Sequence, residues 1–164
     1  MRRTRVAVLA VVALAVSSVA VAAVAPGETV LVVEDTETGE QYLDAPVEDG
    51  TTVALEYTHS VEKTRVYDGY TVRGDRLEMT RMAFESYGWG LPSGANVTRE
   101  NGTFVYDPPG NTTRLTVAPG RVAKHKLHVG DETYDLVALT DAESVDVHVV
   151  HRSVLADALD AIHV

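Results

Sequence analysis

The chain has 164 residues, of which 45% are apolar, so it can bury the core of one domain and is not a disordered protein. Its formal net charge is −10, with 14 Lys and Arg against 24 Asp and Glu, which excludes a basic nucleic-acid-binding protein because an acidic surface repels phosphate. It contains no cysteine, which excludes disulfides, thiolate metal sites and cysteine nucleophiles.

The lysines are few: Lys63, Lys124 and Lys126 are the only ones in the sequence. An acidic surface with few lysines suits solvation at high salt, where repulsion between charges is screened over short distances. The composition therefore predicts a halophilic source.

An uncharged segment of 20 residues, Val6–Ala25, follows a basic start with Arg2, Arg3 and Arg5. As a helix it would be about 30 Å long, which is enough to cross a bilayer. Positive charges before it and acids after it predict a cytoplasmic N terminus and an extracytoplasmic remainder. Residues 1–26 are thus predicted to be an uncleaved signal anchor, and residues 27–164 an extracytoplasmic domain. The alternative is a signal peptide cleaved after Ala25, which would release a secreted protein.

Beyond residue 26, short runs of β-branched or alternating apolar residues are separated by turn residues, which predicts strands. We predict them at Thr29–Val33, Gln41–Leu43, Thr51–His59, Val66–Val72, from Leu77 to Phe84, and at Thr103–Tyr106, Thr113–Val117, Lys124–Val129, Thr133–Leu139 and Ser144–Val150. The predicted fold is all-β, a small antiparallel sandwich or barrel. Ser153–Ile162 carries apolar residues at helical spacing after an N-cap serine and predicts a short C-terminal helix, with an extended tail as the alternative.

The strand that begins at Leu77 contains an irregularity. Leu77 and Met79 alternate in one parity, whereas Met82 and Phe84 alternate in the other. Because one extra residue in a strand reverses the parity of all that follow, we predict a β-bulge near Thr80 and Arg81.

The candidate site lies between Tyr57 and Pro92, where polar and aromatic residues concentrate. His59 ends an apolar face, and the polar residues after it would end the strand and meet the glycine-rich loop that contains Trp89. That tryptophan either closes the end of the fold or presents an aromatic surface to a ligand, a partner or a membrane. The predicted ligand- or partner-binding residues are Tyr57, His59, Ser60, Glu62, Tyr67, Tyr70, Ser86, Gly88, Trp89, Gly90, Leu91 and Pro92. The alternative for His59 is an internal histidine hydrogen-bonded to a carboxylate such as Glu62 or Glu85.

Catalytic arrangements are poorly supported. His59 and Ser60 are adjacent, so on a strand they point to opposite faces and cannot act as a hydrolase pair. A metal site would need His59 and Glu62 with Asp68, whereas His125 and His128 would point to opposite faces of a strand. We therefore expect a protein that is not an enzyme and has no cofactor, with an envelope hydrolase as a weaker alternative.

Three Asn-x-Thr sequons occur within 18 residues, at Asn96, Asn101 and Asn111. On loops of an exported chain they predict surface glycosylation. The alternative is that Asn and Thr occur here only because both favour turns.

Several segments resemble the domain of unknown function 1850 family, whose members are small proteins with an N-terminal hydrophobic segment. The resemblance rests on Tyr57–Thr64, Tyr67–Tyr70 and Phe84–Pro92, with a weaker match at Leu127–Glu132, and covers roughly Val30–His151. Three residues depart from the family pattern: Arg65 replaces a proline, Asp68 replaces a glutamate, and Trp89 replaces a small residue.

The resemblance implies an association with transport. Proteins of this family are often encoded beside TRAP-type transporters of the TAXI group, which import organic acids with an extracytoplasmic binding protein. We therefore expect an accessory protein of such an importer that contacts transporter subunits, or alternatively a stand-alone cell-surface module that binds a ligand or a metal ion.

Overall fold

The computed structural model describes residues 27–86 and 96–152, and Thr29–Val150 form one compact unit. This unit contains twelve strands and one short helix in its described part. The strands are β1 (Thr29–Asp35), β2 (Gln41–Pro46), β3 (Thr52–Thr58), β4 (Arg65–Arg73), β5 (Arg76–Phe84), β6 (Thr98–Glu100), β7 (Thr103–Tyr106), β8 (Asn111–Thr112), β9 (Leu115–Val117), β10 (Lys126–Val129), β11 (Glu132–Asp135) and β12 (Val145–His151). The helix α1 spans Leu136–Thr140.

The strands form two sheets. The smaller sheet has four strands in the order β2-β1-β12-β9, and the larger has eight, in the order β11-β10-β3-β4-β5-β7-β6 with β8 paired to β5. Neighbouring strands of the larger sheet pair antiparallel, including the hairpins β3–β4, β4–β5 and β10–β11. The predicted all-β antiparallel class is therefore confirmed.

The core lies between the two sheets, which identifies the fold as a sandwich. Alternate residues of the smaller sheet, among them Leu31 and Val147, belong to the same buried cluster as Val53, Val72 and Leu127 of the larger sheet. Because side chains alternate between faces along a strand, each sheet contributes every second residue to this cluster.

The predicted bulge near Thr80 and Arg81 is confirmed, and it lies in β5. Gly69 pairs with Arg81 but the next residue, Tyr70, pairs with Met79, so Thr80 is the extra residue in β5. The bulge lets Leu77, before it, and Phe84, after it, both lie buried.

One predicted strand is wrong in its second half. Thr133–Leu139 was expected to be extended, but β11 ends at Asp135 and α1 begins at Leu136. Asp135 caps the helix, because its side chain accepts a hydrogen bond from the backbone N–H of Ala138 over 3.1 Å. Two other strands begin two residues later than predicted, β9 at Leu115 and β10 at Lys126.

Three predicted segments lie outside the described residues: the anchor at residues 1–26, the whole loop Tyr87–Pro92 with its neighbours to residue 95, and the C-terminal helix at Ser153–Ile162. Within the described ranges, no helix has the length and apolar composition needed to span a membrane.

Candidate functional site

The predicted site residues on the β3–β4 connection lie at one end of the large sheet. Tyr57 is near the end of β3, and His59, Ser60 and Glu62 follow in the loop that leads to β4. Ser60 and Glu62 are exposed, while Tyr57 and His59 are half-buried. Gly88, Trp89, Gly90, Leu91 and Pro92 lie outside the described residues, so their predicted roles stay predictions.

His59 organises the loop through its side chain. Its Nδ1 atom accepts hydrogen bonds from the backbone N–H groups of Val61 and Glu62, over 3.3 Å and 3.2 Å. This pattern matches an N-cap, in which a side-chain acceptor satisfies the first donors of a turn. The bonds at Nδ1 therefore come from the backbone. The alternative of a carboxylate partner for His59, such as Glu62 or Glu85, stays a prediction.

The same loop is closed by backbone bonds. The N–H of Lys63 donates to the carbonyl oxygen of His59 over 3.0 Å, and the N–H of His59 donates to the carbonyl oxygen of Thr64 over 2.8 Å. The first bond spans five residues and forms a single turn of helix. The loop is thus a defined turn, and we call His59–Lys63 the first turn.

Ser86 joins the two halves of the predicted site. Its hydroxyl donates to Glu62 Oε2 over 3.2 Å and lies 3.4 Å from the Thr64 hydroxyl. Ser86 lies two residues after the end of β5, at the end of the sheet where β4 begins. The structure therefore brings the start of the glycine-rich segment against the first turn, although 22 to 24 residues separate them in sequence.

The other two tyrosines of the predicted site do not share one surface. Tyr67 and Tyr70 are three residues apart on β4, so they point to opposite faces of the sheet. Tyr70 belongs to the buried core. Tyr67 lies on the opposite face, where its ring centroid is 6.2 Å from that of His128 and 5.7 Å from the guanidinium carbon of Arg65.

Asp68 is a candidate residue that the sequence analysis did not include among the binding residues. One of its carboxylate oxygens, Oδ2, accepts a hydrogen bond from the Tyr57 hydroxyl over 3.3 Å. The other, Oδ1, is buried and has no hydrogen-bond partner among the described residues. Burial raises the pKa of Asp68 to about 6. Burial, and to a lesser extent the charge of Asp68, raises the pKa of Tyr70 to about 12. The sequence pattern that could have identified Asp68 is an acidic residue on a strand face that is otherwise apolar, with Val66, Tyr70 and Val72.

A row of polar side chains crosses the other face of the large sheet. Glu56 Oε2 lies 2.7 Å from Arg65 Nη2 and 3.3 Å from His128 Nε2, and His128 Nδ1 lies 2.9 Å from the Thr133 hydroxyl. A carboxylate, an imidazole and a hydroxyl also follow one another in hydrolase triads. Here Arg65 already neutralises the carboxylate that would have to stabilise an imidazolium, so we interpret the row as a cross-strand network.

The residues considered for a metal site have separate partners. His59 bonds to the backbone, Glu62 to Ser86, and Asp68 to Tyr57. Within residues 27–86 and 96–152, no three His, Asp or Glu side chains are grouped as metal ligands. His125 stacks on Tyr57 at 5.0 Å, whereas His128 approaches Tyr67 on the other face, as the alternation predicted.

The three sequon asparagines are all exposed. Asn96 precedes β6, Asn101 lies in the β6–β7 turn with a φ of 49°, and Asn111 belongs to β8. The side chain of Asn111 accepts a hydrogen bond from Arg76 over 2.8 Å. Surface glycosylation at these positions stays a prediction.

Comparison with known proteins gives one match. The family model described as "Domain of unknown function (DUF1850)" matches residues 53–136, just over half of the chain. The match includes the first turn, Ser86 and the segment Leu127–Glu132, but it is shorter than the predicted resemblance at both ends. Neither a curated protein nor a solved structure matches the chain significantly.

Proposed function

We propose a function from one premise: the chain belongs to the domain of unknown function 1850 family. The proposed protein is a non-enzymatic, membrane-anchored, extracytoplasmic domain that assists a solute importer of the TRAP type. Residues 1–26 would hold it to the membrane, and the end of the large sheet around the first turn would contact a transporter subunit.

One observation carries this proposal. The hydrogen bonds of Ser86 with Glu62 and Thr64 join two motifs that are distant in sequence and both lie within the matched region. They meet at an exposed end of a sheet, outside the buried core cluster. Loops held by a rigid sheet are where binding residues are usually found, so this end is the best-supported contact surface.

The test is co-purification from native membranes. A C-terminally tagged full-length chain would be solubilised from its host at native salt, together with Ser86→Ala and Glu62→Gln variants. We expect a transporter subunit to be recovered with the wild type and to be depleted with both variants. Unchanged solute uptake after loss of the whole gene would contradict the accessory role.

A second candidate function is a stand-alone ligand-binding module, and Asp68 is the observation that favours it. A buried carboxylate oxygen without a partner costs free energy unless a donor from outside binds it. Divalent cations and small carboxylic acids would be added to the purified chain and to Asp68→Asn, and thermal unfolding followed. A stabilisation seen only in the wild type would support the module, and no shift in either protein would count against it.

A further inference from the structure

A second turn of the same construction lies beside the first. In Gly120–Lys124, the second turn, the N–H of Lys124 donates to the carbonyl oxygen of Gly120 over 2.8 Å, as Lys63 does to His59 in the first turn. An imidazole also accepts a backbone bond here, because the Gly120 N–H donates to His125 Nδ1 over 3.0 Å.

The two turns are fixed to each other. The N–H of Thr58, at the end of β3, donates to the carbonyl oxygen of Ala123 within the second turn over 2.8 Å. The ring of Tyr57, just before the first turn, stacks on His125, just after the second. Strands β3 and β10 are paired, so the turns emerge side by side from one end of the large sheet.

The paired turns share two side chains at matching positions, a valine at the third and a lysine at the fifth. Each has a valine at its third position, and these two, Val61 at 64% and Val122 at 69% exposure, are the only exposed large apolar residues in the described ranges. Single exposed valines are ordinary, but two on adjacent turns place two apolar side chains at the same end of the large sheet.

Each turn ends in a lysine with a strained backbone. Lys63 and Lys124 have φ values of 56° and 54°, in the left-handed region that glycine adopts without cost. No other described residue lies within 4.0 Å as an ion-pair partner of either lysine. Every arginine from Arg65 to Arg81, by contrast, is in an ion pair. Strained residues at an exposed site suggest that the side chain is needed there for binding.

The position and charge of this surface indicate its partner. The third lysine, Lys126, begins β10 directly after the second turn, so all lysines of an acidic chain lie at one end. Thr36, just after β1, bonds to Ser144, just before β12, and β12 pairs with β9, which leads from Val117 into the second turn. The paired turns therefore lie near the end of β1 that is opposite to Thr29. The charge of this end therefore complements a partner that presents carboxylates.

We infer that the paired turns form a docking surface for an acidic protein, in which Val61 and Val122 make apolar contacts while Lys63 and Lys124 pair with carboxylates of the partner. This inference rests on the proposed function for the identity of the partner as an importer subunit. It adds the chemistry of the contact and the residues that make it.

The first experiment locates the contact. A photo-crosslinking amino acid is placed at Val61, at Val122 or, as a control at the other end of β10–β11, at Glu132 in the full-length chain in host membranes. We expect one acidic protein to be crosslinked from both valine positions and not from Glu132. Adducts with lipid or with a second copy of the chain, equal adducts from Glu132, or no adducts would overturn the inference.

The second experiment measures how the lysines contribute to binding of the partner protein that the crosslinking identifies, after that partner has been purified. Lys63→Glu combined with Lys124→Glu should weaken binding at least about tenfold, and the corresponding Arg pair should bind within about twofold of the wild type. Lys63→Gly with Lys124→Gly should also weaken binding, yet leave Tm unchanged or higher because glycine removes the backbone strain. Equal affinity of wild type and Glu pair would overturn the inference.

The outcomes separate the two proposals. If the importer subunit is crosslinked from Glu132 and not from the valines, the docking surface is wrong while the accessory function stands. If both valines crosslink an acidic protein that is not part of an importer, the docking surface stands while the accessory function is wrong.

Discussion

The Tyr57 hydroxyl donates a hydrogen bond to Asp68 across the β3–β4 pair, 3.3 Å from Oδ2, while Oδ1 of the same carboxylate is buried without a partner in the described structure. The hydroxyl stabilises the charged carboxylate, but burial has the larger effect and raises the pKa of Asp68 from 3.8 to about 6. The folded state therefore binds this proton more tightly than the unfolded state does.

Asp68 should make the protein less stable as the pH rises. Between about pH 4 and pH 6 the folded chain holds a proton that the unfolded chain has lost, so the free energy of unfolding falls through this window. A shift of two pKa units corresponds to about 3 kcal/mol, which partial solvent exposure reduces to about 1 to 2 kcal/mol. Asp68→Asn should be more stable than the wild type by this amount at pH 7 and not at pH 4, as measured by urea unfolding.

The matched variant for this pair is Tyr57→Phe. It removes the hydrogen bond that lowers the pKa of Asp68, so that pKa should rise further. The measurement is an NMR titration of the Asp68 carboxyl carbon. An unchanged or lower pKa would show that the Tyr57 hydroxyl does not stabilise the charged form.

The bulge at Thr80 should be dispensable for strand pairing. Thr80 is the extra residue of β5, so its deletion leaves a regular ladder in which Leu77 and Phe84 keep their partners and their face. The Thr80 deletion should therefore still unfold cooperatively in circular dichroism. Deletion of Thr71, which has a partner in the ladder, would instead move Val72 to the other face and should abolish cooperative unfolding. Loss of cooperative unfolding in the Thr80 deletion would contradict this view.

Much of the larger sheet could be predicted because its signals are local. Alternation of apolar residues predicted β3 and β4, and the Arg73–Arg76 turn predicted the connection from β4 to β5. The change of parity after Met79 predicted the bulge. The helix α1 was missed because it has only five residues and its apolar positions also fit a strand. Its one distinguishing signal was the capping side chain of Asp135.

The site was less predictable because it depends on contacts between distant segments. Ser86 and Glu62 were both candidates, but their hydrogen bond follows from the pairing of β4 with β5. Likewise, the match between the first and second turns is not visible until β3 and β10 are seen to be neighbours. Tyr67 and Tyr70 were predicted to share the site, but their odd spacing on a strand places them on opposite faces.

Arg114 should stabilise the small sheet by holding two acids. Its Nη1 lies 2.8 Å from Asp146 Oδ2 and 2.9 Å from Glu34 Oε1, and Asp146 is buried. A hydrogen bond from Thr116 and the one from Arg114 keep the pKa of Asp146 below its usual value. Arg114→Ala should lower the free energy of unfolding by about 1 to 3 kcal/mol at pH 7, as measured by urea unfolding, because a buried carboxylate loses its cation.

The pH dependence of this variant provides its check. The pKa of Asp146 is lowered, so its contribution is present above the unfolded pKa of 3.8 and is lost as the pH falls through the folded value. The difference between wild type and Arg114→Ala should therefore shrink below about pH 4. The control is Arg121→Ala, whose ion pair with Asp141 has exposed fractions of 65% and 88% and should contribute at most about 0.5 kcal/mol.

His59 should act by stabilising the first turn, because its Nδ1 atom accepts hydrogen bonds from two backbone N–H groups. His59→Ala removes that acceptor and should cost about 1 kcal/mol, as loss of an N-cap does. His59→Asn supplies a short side-chain oxygen that can accept the same bonds, so it should restore most of the stability and the recovery of the partner. Thermal unfolding and co-purification would be measured for both variants. If Asn restores stability but not partner recovery, the imidazole itself contacts the partner, and if Asn behaves like Ala in both, the capping role is wrong.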